Sequence, residues 1–175
     1  MKKFKLTSEF IVDISGVKLF RIKALIEFGN VKAGDLGGYI EKEENLSHMG
    51  DAWVSDDARI SGNAQVFGNA WVFGNARVFG NAQVFGNARV SGDAQVFGDA
   101  QVSGDKDYAY AHGFGSCNRT TTFFRLKDGD VGVRCGCFYG TLAQFRDKVC
   151  ETHGETKKAQ EYLMLADLME IRFKN

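Results

Sequence analysis

The chain has no proline, only three histidines and no net charge, its 22 basic residues being matched by 22 acidic ones. Balanced charge removes the broad positive field of a general nucleic-acid binder and leaves nothing for a charge-driven membrane role. No stretch reaches the about 18 apolar residues of a membrane span, and the opening MKKFKLTSEF lacks the apolar run of a secretion signal, so a cytoplasmic location without membrane attachment is expected. Cysteine is sparse as well: four residues, all beyond position 116, in a chain too long and too cysteine-poor to need disulfides. Reduced thiols follow. Lack of proline leaves the turns to glycine, of which there are 21, and most of these recur at a fixed interval.

From Gly50 to Val102 the chain reads GDAWVS DDARIS GNAQVF GNAWVF GNARVF GNAQVF GNARVS GDAQVF GDAQV, a period of six without insertion. Alanine recurs at 52, 58, 64, 70, 76, 82, 88, 94 and 100, and an aliphatic follows two residues later at 54, 60, 66, 72, 78, 84, 90, 96 and 102. A spacing of two places alanine and aliphatic on one face of a short extended segment. Glycine with asparagine or aspartate then makes the corner, since both accept the backbone angles of a sharp turn. A helix is excluded because six residues do not return to one face at about 3.6 per turn, and each glycine would cost about 1 kcal/mol. A hairpin array is excluded because identical short units stack only by coiling in one direction.

This pattern resembles the hexapeptide-repeat family of left-handed β-helices, in which three repeats make one triangular coil. An inward aliphatic followed four residues later by a small residue is the family's core, matched here by Val54 with Ala58 and by Val66 with Ala70. The glycine frequent after the aliphatic in that family is replaced here by Ser55, Ser61, Phe67, Phe73 and their equivalents. Three repeats per coil stack residues 18 apart. One face then carries Trp53, Trp71 and Arg89 beside Ser55, Phe73 and Ser91. A second carries Arg59, Arg77 and Gln95 beside Ser61, Phe79 and Phe97. The third carries Gln65, Gln83 and Gln101 beside Phe67, Phe85 and Ser103. Five outward phenylalanines are too many to leave in water without a reason.

A stacked coil exposes a strand edge at each end, so residues 1–48 are read as an N-terminal β cap: two β-like runs around DISG, then the loop NVKAGDLGGYIEKEENL. Gly34, Gly37 and Gly38 in that loop match neither a dinucleotide fingerprint nor a phosphate loop and are read as ordinary turn residues. After Val102 the period decays, with Lys106 where alanine belongs and Tyr108 where the aliphatic belongs. Residues 120–126 and 131–137 around KDGD read as a hairpin. Two helices follow. Thr141 with Gln144 makes a capping box for the first, Leu142, Phe145 and Val149 share a face, and Gly154 ends it. Ala159, Tyr162, Leu163, Ala166, Met169 and Phe173 keep helical spacing in the second. The expected architecture is thus mainly β: a cap over 1–48, a left-handed parallel β-helix with three hexapeptides per coil over 49–107, and a ββαα domain over 108–175.

Chemistry is thin by comparison. Acyltransferases of the resembled family present a histidine base from the coil or from a loop interrupting it, and carbonic anhydrases of this type bind zinc through three coil histidines; His48, His112 and His153 all lie outside the repeats. Among zinc-ligand types, His112, Cys117, Cys135, Cys137, Cys150 and His153 are poorly spaced. Cys135 and Cys137 alternate with Val131 and Val133 as small buried hydrophobes would, and His153 fits a helix C-terminus. No thiol is paired with a base. Between residues 49 and 107, Arg59, Arg77, Arg89 and Lys106 face seven acidic residues, which argues against nucleic acid. Threonine rows of the ice-binding kind are absent from the array.

No catalytic residue, metal ligand or cofactor is expected. The candidate interface is Trp53, Trp71, Arg89, Phe67, Phe73, Phe79, Phe85, Phe97, Arg59 and Arg77, residue types that concentrate at protein interfaces. Terminal segments, a second copy of the chain or a foreign partner could each cover these rings. The whole chain, with its GNVKAGDLGGYIE cap, GNAxV repeats and short tail, resembles hexapeptide-repeat proteins common in bacteriophages and prophages, sometimes labelled transferases. That resemblance implies a non-enzymatic binding or scaffolding protein, a phage accessory factor acting on a host protein and homo-oligomeric through its aromatic faces; counter-defence follows from analogy of fold and source alone. The alternative is a degenerate acyltransferase holding an acyl-CoA or nucleotide ligand between subunits.

Overall fold

A computed structural model describes residues 1–115 and 117–174. Its centre is a parallel β-solenoid of about four turns, followed by two helices. Three longer strands come first: β1 (Phe4–Val12), β2 (Lys18–Ala24) and β3 (Leu36–Ile40). Then come the two-residue strands of the array: β4 (Trp53–Val54), β5 (Arg59–Ile60), β6 (Gln65–Val66), β7 (Trp71–Val72), β8 (Arg77–Val78), β9 (Gln83–Val84), β10 (Arg89–Val90), β11 (Gln95–Val96) and β12 (Gln101–Val102). Parallel pairing joins residues 18 apart, as in Trp53 with Trp71, Arg59 with Arg77 and Gln65 with Gln83. Three outer faces result: a long face in which β3, β5, β8 and β11 continue the β1–β2 hairpin, a tryptophan face of β4, β7 and β10, and a glutamine face of β6, β9 and β12.

Inside, every array alanine and aliphatic from Ala52 to Val102 is fully buried. Each valine so buried contributes about 1.5–3 kcal/mol, and the alanines leave room for three walls to meet. Corners depend on left-handed backbone. Gly68 has φ +70°, and a Cβ there would stand 3.1 Å from the amide nitrogen of Gly86 one coil on.

The segment 30–46, expected as a loop, contains β3, which pairs parallel with β5 and antiparallel with β2. Its Gly37 and Gly38 are packing glycines: added Cβ atoms would fall 2.5 Å from the Val54 carbonyl oxygen and 2.6 Å from that of Ala58. Beyond the array, β13 (Tyr108–Phe114), β14 (Arg119–Arg125), β15 (Val131–Cys135) and β16 (Phe138–Thr141) form a four-stranded antiparallel sheet, two strands more than expected. The helices α1 (Leu142–His153) and α2 (Lys157–Phe173) pack on one side of it, with the Thr141–Gln144 capping box in place. Successive residues of β14 serve both cores: Phe124 joins the core of the solenoid and Phe123 the helix layer.

Candidate functional site

The three faces are covered to different degrees. On the tryptophan face, Trp53 is buried, with the edge of Phe28 against it at 5.3 Å, while Trp71 and Phe73 are half-buried and Arg89 is exposed. On the glutamine face, Phe67 and Phe85 stack at 5.1 Å with planes 4° apart. The long face differs from both because turns from the two terminal segments rise beside it.

Its outward row runs Tyr39, Arg59, Arg77, Gln95. Arg59 and Arg77 form the floor shared by two clefts. One, of about 390 Å³, also takes in Asp57, Asn75 and Asp93 of the corner and His112 and Thr120 of the β13–β14 hairpin. The other, of about 480 Å³, is bounded by Asp13, Ile14 and Ser15 at the β1–β2 turn and by Arg134 and Gly136 near the β15–β16 turn, with Phe79 beside them. Together they make a trough across the face.

Neighbouring parallel strands set these two guanidinium-bearing positions about 4.8 Å apart. Among the described residues neither guanidinium has a hydrogen bond or ion pair. Like charges directly opposite one another on a sheet cost up to about 1 kcal/mol. Asp13 feels the field of Arg77: desolvation opposes ionisation of its carboxyl, but hydrogen bonds from Val17 and Ser15, with Arg77 beyond, hold its pKa below the ordinary value.

Arg134 lies over the rings of Phe97 at 5.1 Å and Phe79 at 5.7 Å, and Tyr139 meets Phe97 edge-on at 4.8 Å. The pair Phe79 and Phe97 is therefore partly covered from within the chain. Of the candidate interface residues, the structure gathers Arg59, Arg77, Phe79 and Phe97 along the trough; Trp53, Trp71, Phe73 and Arg89 share another face, and Phe67 and Phe85 the third. The wall residues Asp13, Ile14, Thr120 and Arg134 were not found from the sequence, and His112 was weighed only as a base or zinc ligand, because no local pattern says where a hairpin tip will lie.

A separate cleft, of about 230 Å³, lies between sheet and helices around Cys135, Cys137, His153 and Tyr162. Thr121 Oγ1 donates to Cys135 Sγ at 3.2 Å. Burial, aided by Cys135, pushes the Tyr162 phenol up to about 12. Cys137 is not on the strand face as expected: β15 ends at Cys135, and Gly136 and Cys137 make the tight turn into β16. Among the described residues no three His, Cys, Asp or Glu side chains form a group suited to a metal ion.

The fold and its repeating corner define a β-solenoid protein. The family described as YdcK beta solenoid repeat matches residues 58–74 and 82–98, both inside the array. No significant match to a curated protein was found. No helix among the described residues is long and apolar enough to cross a membrane.

Proposed function

We propose that the chain is a non-enzymatic binding protein that holds a segment of a partner protein in the trough across the long face. The observation that carries this is the Arg59 and Arg77 pair, two adjacent cations that make no hydrogen bond or ion pair among the described residues, on the floor of a trough walled by turns from both ends of the chain. Arginine with adjoining aromatic surface, here Phe79 and Phe97 under Arg134, is the side-chain mixture of binding hot spots. On this reading the solenoid is a left-handed hexapeptide β-helix in a cytoplasmic, homo-oligomeric phage or prophage accessory factor that binds a host protein, and counter-defence is the role to test first. Handedness and source rest on the resemblance of the repeat and of the cap.

The test is site-specific photo-crosslinking in the native host, with the reactive residue placed at Ser61 in the trough or at Gln101 on the glutamine face. A discrete adduct from Ser61, lost when Arg59 and Arg77 become glutamine and absent from Gln101, is expected; the reverse pattern removes the trough from the function. One observation favours the acyltransferase-like alternative. His112, whose Nδ1 lies 2.9 Å from Thr120 Oγ1, brings to the trough wall the histidine that the repeats lack. Clear thermal stabilisation by an acyl-CoA ester or a nucleotide would decide for that reading.

A further inference from the structure

We infer that the trough recognises a carboxylate, and that its occupant is an extended acidic segment of the partner, with one glutamate or aspartate seated across Arg59 and Arg77. This rests on the binding reading above and gives it a ligand chemistry. A carboxylate accepts forked hydrogen bonds from guanidinium groups and relieves the repulsion between two of them. Asp13 lies within the field of Arg77, but neither arginine makes a hydrogen bond or contact ion pair among the described residues, so the pair has donors to offer without first breaking one.

The surrounding charges limit how much negative charge can enter. Asp57 and Asp93 stand on one side of the pair and Asp13 on the other. A polyphosphate or a nucleic-acid backbone would set further negative charge against these carboxylates, and like-charge juxtaposition costs several kcal/mol. A single carboxylate seated between the two guanidinium groups brings only one negative charge near those aspartates.

The rest of the trough suits a polypeptide. Ser61 and Gln95 on the floor, with Ser15 and Thr120 on the walls, offer hydroxyl and amide partners for a main chain. At the β1–β2 turn the Ile14 side chain is 97 % exposed beside half-buried Phe79, an apolar seat for a residue next to the carboxylate. The opposite end, with Asp57 and Asp93, suits a basic residue. The recognised segment therefore carries an acidic residue with an apolar neighbour toward the β1–β2 turn and a basic one toward His112.

Fluorescein-labelled heptapeptide pools, with the centre fixed as glutamate, glutamine or phosphoserine and the other positions randomised, test this on the full chain by anisotropy. The glutamate pool should bind at least tenfold tighter than the glutamine pool. Binding should fall at least tenfold in R59Q/R77Q at a melting temperature no lower than that of wild type, and stay in K157Q/K158Q, which removes the same charge from exposed positions on α2. Equal binding of the glutamate and glutamine pools, tighter binding of phosphoserine, retention in R59Q/R77Q, or no binding by any pool overturns the inference. If an arginine-dependent adduct at Ser61 persists while the pools fail, only the carboxylate is wrong; if both fail, the binding reading falls with it.

Discussion

A coiled parallel sheet is polar, and single side chains have to answer that polarity. Each coil's amides donate to the carbonyls of the next, as Trp53 N–H does to Ala70 and Ser55 N–H to Val72. The first coil is thus left with open carbonyls and the last with open amides. Lys3 Nζ donates to the Gly50 and Ala52 carbonyls at 3.1 and 2.8 Å, and Asn45 Nδ2 to those of Gly62 and Ala64 at 3.1 and 2.9 Å. At the far end acceptors take over: Asp105 for the Arg89 amide, Tyr108 for Ser91, Thr122 for Gln95 and Asp107 for Ser103. Burial pushes the Lys3 amine down from 10.5 to about 8, with Asp51 opposing the shift. Between those two values the unfolded chain holds a proton that the folded chain has lost, so the fold gains stability as pH rises through that window. Urea unfolding of wild type and K3M at pH 7 and pH 10 should show the difference between them moving by about 1–3 kcal/mol in favour of wild type. Tyr162 titrates higher and is common to both proteins. A difference that does not move with pH would mean that Lys3 is not desolvated in solution.

At the scale of elements, what could be read from the sequence followed how strictly each element repeats. Ala at one position and an aliphatic two later, nine times without a slip, showed the inner face, and the 18-residue register followed from the resemblance to a family with three repeats per coil. β3 was hidden because LGGYI puts two glycines where side chains would report alternation, and its glycines are required by closeness to Val54 and Ala58. β13 was hidden because no residue of it is fully buried and its C-terminal half is exposed on both faces, so that YAYAHGF shows no alternation of buried apolar residues. β16 has four residues, one of them glycine. The coil as a unit makes a prediction of its own. Deleting residues 62–79 removes one full turn and returns every later residue to its own face, whereas deleting residues 62–67 turns the C-terminal sheet onto a different face from the β1–β2 hairpin. The larger deletion takes Arg77 and Phe79 of the trough with it but should keep a cooperative melt, lowered only by one coil and one coil interface, since solenoid stability is a sum over neighbouring coils. The smaller one should melt lower still, because it separates the two end segments onto different faces. Equal damage from both, followed by calorimetry, would show that the two ends are coupled by more than rotation.

For the whole molecule, the site was only half legible. Arg59 and Arg77 could be stacked by counting, but the walls that make them a trough come from residues 13–15 and from β13 to β16, far away in sequence, and docking of that kind leaves no local periodicity. The same unequal covering bears on the proposed homo-oligomer. Phe79 and Phe97 already meet Arg134 and Tyr139, and Trp53 is already under Phe28, so these rings have less left to give to a second copy. Phe67 and Phe85 stack on each other and are half-buried, on a face that also carries Gln65, Gln83, Gln101 and Ser103, with Glu43 and Glu44 beside its first coil. Glutamine rows carry no charge to repel a second copy, and two such faces set against each other could pair amides around a centre of four rings. A specific interface needs about 1,200 Å² in total, which requires the length of the face and not the rings alone. Serine at both positions should therefore turn an oligomer into a monomer by light scattering at micromolar concentration, with the melting temperature of the monomer little changed because Val66 and Val84 still fill the core. An unchanged mass in F67S/F85S would move the contact away from the glutamine face, to the exposed row of Met164, Leu168 and Ile171 on α2, the other place where large apolar side chains recur at the spacing of a packing helix.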